Sequence, residues 1–63
     1  MRILKLKEVL HRTGLGRTTM YKLIKSLEFP QSIRLGLRAV GWLESEVEAW
    51  IKNRVDDRNR HSS

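Results

Sequence analysis

Two apolar-periodic stretches separated by a glycine-spaced break constrain this chain most. From Leu6 to Arg12 the apolar positions are 6, 9 and 10, one face of a short helix. Gly14-Leu15-Gly16 then interrupts the pattern, and Met20, Leu23, Ile24 and Leu27 resume it at helical spacing. Gly14 suits the left-handed residue that follows a helix end, and Gly16 stands at the cap of the next helix. Leu15 is expected to plug the core between the two. At about 100° per residue, a helix over Arg17 to Leu27 turns Thr18, Lys22 and Lys25 away from its apolar face, flanked by Arg17 and Tyr21. Thr19 completes that outward surface.

Composition says what such a surface meets. The chain has 63 residues, one domain near the lower size limit for folding without staples. Its stability is expected to be about 3–9 kcal/mol. There is no cysteine, which excludes disulfides and thiolate metal sites. No apolar run is long enough to span a bilayer. Charges at Arg2, Lys5 and Lys7 break the apolar core that an export signal needs. The sequence therefore reads as a complete bacterial cytoplasmic protein, associated with the nucleoid. The formal charge is +6, and it is uneven. Residues 1–43 hold nine Lys or Arg against Glu8 and Glu28, a net of +7; residues 44–63 hold four against five, a net of −1. An isoelectric point near 10.6 and a field concentrated around the second helix favour nucleic acid as partner, bound in a salt-dependent way. The bland alternative is a solvated, solubilising surface.

The remaining segments complete an architecture. Arg2 to Lys5 alternates enough for a short strand. Phe29-Pro30 ends the second helix, since the residue before proline avoids the helical region. Residues 31–42 read as a β-hairpin, with Ile33, Leu35, Val40 and Trp42 packing onto the helices and Gly36 supplying a positive φ at the turn. A last helix is expected over Ser45 to Arg54. Ser45 and Glu48 have capping-box spacing, and Val47, Trp50 and Ile51 form its apolar stripe. Residues 56–63 read as a polar, disordered tail after a folded unit over 1–55. Helix, turn, helix, hairpin, helix is a winged helix-turn-helix arrangement, mainly α with a small β-hairpin.

In that order, Leu6-Lys-Glu-Val9, Thr13-Gly-Leu15, Arg17-Thr-Thr-Met-Tyr21, Phe29-Pro30, Arg34-Leu-Gly36, Arg38-Ala-Val-Gly-Trp42 and Ser45-Glu-Val-Glu-Ala-Trp-Ile51 resemble the AlpA family. The resemblance covers about residues 2–54. These are small phage and prophage DNA-binding regulators, related in fold to MerR-type DNA-binding domains and to excisionases. It implies control of genes on integrated elements, often the integrase or excision machinery. Two positions depart from the family pattern. Gly16 stands where Ser is usual, at a cost of only a few tenths of a kcal/mol. Leu37 occupies the expected wing tip in place of a polar residue.

Residue chemistry then assigns roles in duplex binding. Thr18 and Lys22 lie where base edges are met, Lys22 as a donor to guanine and Thr18 toward a thymine methyl or a polar edge. Arg17 suits a phosphate at the helix N-terminus, and Tyr21 and Lys25 serve as backbone anchors. Arg34 and Arg38 flank the hairpin turn within reach of the adjacent minor groove. Leu37 either joins them, meets a second copy, or is an ordinary surface leucine. Trp42, Trp50 and Phe29 occupy core-phase positions and leave no exposed stacking platform of the kind RNA needs. His11 and His61 have no companions at metal or triad spacing, so neither an enzyme nor a cofactor or metal site is expected. Three functions stay open. They are a sequence-specific regulator, an excisionase that bends DNA and recruits an integrase, and a protein-interaction module with little DNA binding. One domain covers few base pairs, which points to cooperative binding on repeated sites or to self-association.

Overall fold

The computed structural model of the chain describes residues 1–61. In chain order it contains β1 (Ile3–Leu4), α1 (Leu6–Thr13), α2 (Arg17–Lys25), β2 (Ile33–Arg34), β3 (Val40–Leu43) and α3 (Glu44–His61). The architecture is mainly helical, around one small antiparallel sheet ordered β1-β3-β2.

The glycine-spaced break behaves as its residues dictate. Gly14 adopts φ 73°, and its N–H donates to Leu10 O at 2.8 Å, closing α1. Thr13 Oγ1 donates to Val9 O at 2.8 Å and accepts from the Leu15 N–H at 3.3 Å, so one hydroxyl steers the chain out of the helix. Gly16 is extended (φ −79°, ψ 159°), and its carbonyl accepts the Met20 N–H at 3.0 Å, the first bond of α2. Leu15, half-buried, packs against the core between the helices.

α2 stops at Lys25, two residues short of the expected end. The Glu28 N–H donates to Leu23 O at 2.8 Å and the Leu27 N–H to Ile24 O at 3.1 Å, the paired bonds of a Schellman ending. That ending requires a left-handed residue, and Leu27 supplies it at φ 63°. Leu27 therefore leaves the helical face it shares with Met20, Leu23 and Ile24 and is 80% exposed rather than in the core.

β3 is the centre of the sheet. Ile3 pairs with Leu43 and Leu4 with Trp42 on one side; Ile33 pairs with Gly41 and Arg34 with Val40 on the other. This register corrects the expected packing of the hairpin. Facing residues share a face, so Trp42, Leu4 and Val40 point one way while Ile33 and Gly41 point the other. Only Trp42 of the four expected residues is fully buried; Ile33 is half-buried, and Leu35 and Val40 are 45% and 40% exposed. Gly41 makes the second face possible. A Cβ there would collide with Ile3 Cγ2 and lie 3.2 Å from Leu35 Cδ1. Gly36, by contrast, has no positive φ. The connection is five residues long, Leu35 to Ala39, and the Ala39 carbonyl accepts from both the Leu35 and Gly36 N–H at 2.7 and 3.2 Å. A loop of that length turns without a left-handed glycine.

The core is Leu4, Val9, Met20, Phe29, Trp42 and Val47, one residue each from β1, α1, α2, the α2–β2 connection, β3 and α3. Both indoles are satisfied by carbonyls around the Phe29-Pro30 corner. Trp42 Nε1 donates to Pro30 O at 3.1 Å and Trp50 Nε1 to Glu28 O at 2.8 Å.

α3 differs from expectation at both ends. It starts at Glu44, directly after β3, so Ser45 lies inside the first turn and no capping box forms. The Glu44 N–H is satisfied instead by Arg2 O at 2.9 Å, an extension of the β1–β3 pairing. At the other end the helix continues through His61, where a disordered segment was expected from residue 56. No glycine or proline interrupts residues 44–61, and Lys52 reaches Asp56 one turn on at 3.5 Å. Ser62 and Ser63, also assigned to that tail, lie outside the described residues.

Candidate nucleic-acid interface

The exposed face of α2 follows from its burial pattern. Met20 is fully buried and Leu23 and Ile24 are half-buried, which leaves Arg17, Thr18, Thr19, Tyr21, Lys22 and Lys25 in solvent. No acidic residue stands in the first turn, and no side chain caps it. The free N–H groups of that turn and the Arg17 side chain thus occupy the positive end of the helix dipole. On the hairpin, Arg34, Leu37 and Arg38 are exposed as well, Leu37 at 99%. All nine residues proposed from sequence are on the surface.

Ion pairing divides the basic residues into two groups. Arg12 Nη1 lies 2.9 Å from Glu44 Oε2 and 3.4 Å from Glu48 Oε1, and Arg2 lies 3.5 Å from Glu44 and 3.4 Å from Glu8. This network ties α1, the start of the chain and α3 together. Among the described residues, none of Arg17, Lys22, Lys25, Arg34 or Arg38 has a carboxylate within 4 Å. Between residues 17 and 42 there are five basic side chains and one acidic, Glu28, a net of +4. Glu28 is engaged at the helix end, accepting from Ser26 Oγ at 2.7 Å. The protein thus spends its carboxylates on the α1–α3 side and leaves α2 and the hairpin uncompensated. That arrangement is suited to polyanions.

Sequence reasoning missed one feature near this surface, an open apolar groove of about 400 Å³ bounded by Leu27, Phe29, Pro30, Ala49 and Trp50. It was hidden because Leu27 matches the helical period. The signal available was Phe29-Pro30, which forces the helix to close before Leu27. Among the described residues no group of His, Asp or Glu is placed to hold a metal, and no helix is long and apolar enough to cross a membrane.

Fold and surface together define a small helical domain with a three-stranded sheet and a cationic face on α2 and the hairpin. The chain belongs to the AlpA family. The family model described as prophage CP4-57 regulatory protein (AlpA) matches residues 2–55. It is 48% identical over 59 residues to an uncharacterised protein, ORF88, of Enterobacteria phage P4, covering 94% of this chain and 67% of that one. It is also 35% identical over 60 residues to the DNA-binding transcriptional activator AlpA of Escherichia coli K12, covering 86% of each chain.

Proposed function

We propose that the protein is a DNA-binding transcriptional regulator that binds duplex DNA through α2 and the β2–β3 hairpin. The observation that carries this is the set of five cations on α2 and the hairpin with no carboxylate partner, on a molecule whose Arg2 and Arg12, between the start of the chain, α1 and α3, are ion-paired. Family membership and the name of the E. coli relative support the same conclusion. They favour a regulator over an architectural excisionase, because regulation is what both descriptions state.

In the finer form of this proposal the fold works as a winged helix-turn-helix. α1, the Gly14–Gly16 turn and α2 form the helix-turn-helix, with Thr18, Thr19 and Lys22 toward base edges in the major groove. Arg17, Tyr21 and Lys25 hold the phosphate backbone, where contacts fix register without reading sequence. The hairpin is the wing, with Arg34, Leu37 and Arg38 over the adjacent minor groove or its phosphates. The genes controlled belong to a prophage or other integrated element, integrase or excision functions among them.

The two groups of cations provide the test. Selection of duplexes from a random library yields the preferred site, and the affinities of Lys22→Ala and Arg12→Ala for it are then compared. Lys22→Ala is expected to lose about tenfold or more, the value of one base or phosphate contact, with unchanged folding stability. Arg12→Ala is expected to bind within about twofold of the parent while losing up to about 1 kcal/mol of stability. Equal effects of the two substitutions on binding, or no selected site and no binding, overturn the proposal.

A further inference from the structure

We propose that the hairpin tip of one molecule docks into the Leu27–Trp50 groove of a second copy, giving a head-to-tail contact between AlpA-family chains of this sequence. The inference uses no residue of the exposed face of α2 but shares Arg34, Leu37 and Arg38 with the proposed DNA contact of the hairpin, so a given hairpin tip lies either over DNA or in a neighbour's groove.

Two apolar features of the surface are unpartnered, and they are complementary. The groove has an apolar floor of Phe29, Pro30, Ala49 and Trp50, with Phe29 edge-on to Trp50 at a centroid distance of 4.9 Å. Leu27 stands at its margin, 80% exposed and at φ 63°. A side chain at that φ is strained, and an exposed leucine gains nothing from water. Glycine would serve the helix end better on both counts. A leucine in that position is accounted for when something covers it. The matching knob is Leu37, whose side chain is 99% exposed at the centre of the five-residue hairpin loop.

Charge selects this occupant. The knob is flanked by Arg34 and Arg38, neither of which has a carboxylate partner. The groove is rimmed by Glu28 and Glu46, and Glu46 has no cationic partner among the described residues. A leucine with arginines beside it meets an apolar slot with carboxylates beside it. The two features also sit apart on one molecule. Leu37 lies beyond one end of β3, whereas the groove is built from α3, which leaves the other end, and from the close of α2. A knob and a slot at different places on one chain make a heterologous contact, which repeats from copy to copy instead of closing on itself. One leucine and two ion pairs make a weak contact, with a Kd of about 1 mM in free solution.

The test uses free protein without DNA, so that its failure is separate from any failure of DNA binding. The chain has no cysteine, so Ser32→Cys places a single nitroxide label on the exposed base of the hairpin. Labelled protein is mixed with isotope-labelled parent protein at about 1 mM in total, near the expected Kd. The expected result is selective broadening of the Leu27, Glu46 and Ala49 amides and of the Trp50 indole N–H. Leu37→Ser in the labelled partner is expected to reduce the broadening by about tenfold, with its own spectrum still that of the folded chain. Glu46→Arg in the observed partner is expected to weaken the contact, and Arg38→Glu in the labelled partner to restore it. No broadening at that concentration overturns the proposal. So does broadening confined to α2 or to the hairpin itself, which would mean a different or a tip-to-tip contact, and so does indifference to Leu37→Ser.

Discussion

Leu27 holds a left-handed backbone because two hydrogen bonds, from its own N–H and from that of Glu28, close α2 around it. The strain is relieved by removing the side chain. Leu27→Gly is expected to stabilise the folded chain by about 0.5–1 kcal/mol, after the larger freedom of glycine in the unfolded state is counted. Thermal unfolding should record this as a rise in Tm of about 4 °C, and an unchanged or lower Tm would contradict the strain assigned here. Leu27 also shows where residue-level reading of the sequence fails. Hydrophobicity at helical spacing placed it in the core beside Met20, Leu23 and Ile24. A leucine carries no sign that its φ is positive, whereas Gly14 does and was read correctly. Gly36 fails in the opposite sense, since glycine permits a positive φ without requiring one. The charged residues were legible because exposure follows directly from helical phase. Their pairing was not, since Arg12 and Glu44 are distant in sequence and meet only through the packing of α1 on α3.

At the scale of elements, α1 and the start of α2 were legible to within a residue, because Gly14, Gly16 and the apolar period agree with one another. The hairpin was legible in place and wrong in facing. Two-residue strands cannot show by alternation which side is inward, and the register is set by Gly41, whose missing side chain admits Ile3 and Leu35. α3 was under-read because its last turns have no apolar stripe. Local ion pairing and an unbroken run without glycine or proline extend it instead. Trp50 joins α3 to the end of α2, through its 2.8 Å bond to Glu28 O and its edge contact with Phe29, while Arg54 lies 4.9 Å over its ring. Trp50→Phe keeps an aromatic ring and loses the donor and the better cation–π surface. It is expected to cost about 1–2 kcal/mol in urea unfolding, with the m-value unchanged. A change within experimental error would mean that water replaces the indole at Glu28 O without loss.

For the whole molecule, the division of charge sets how binding responds to salt. Five unpaired cations on α2 and the hairpin correspond to a log–log slope of affinity against salt of about −4 to −6. A slope near zero would exclude the proposed surface, and removal of Lys22 should make the slope shallower by about 0.9. The way the fold is braced has a further consequence. α1 and α3 both lean on β3, and the ion network of Arg2 and Arg12 ties them together, while α2 has no ion pair to either and is anchored by Met20. A nine-residue helix without a side-chain cap is marginal by itself. Met20 is a flexible peg, with three rotatable bonds and no branching. The backbone amides of α2 should therefore exchange with deuterium faster than those of α1 and of the first half of α3, at rates set by local opening and not by global unfolding. Bound to its target the same amides should slow the most. The loosely pegged helix can adjust its tilt to the surface it meets, at the cost of ordering it on arrival.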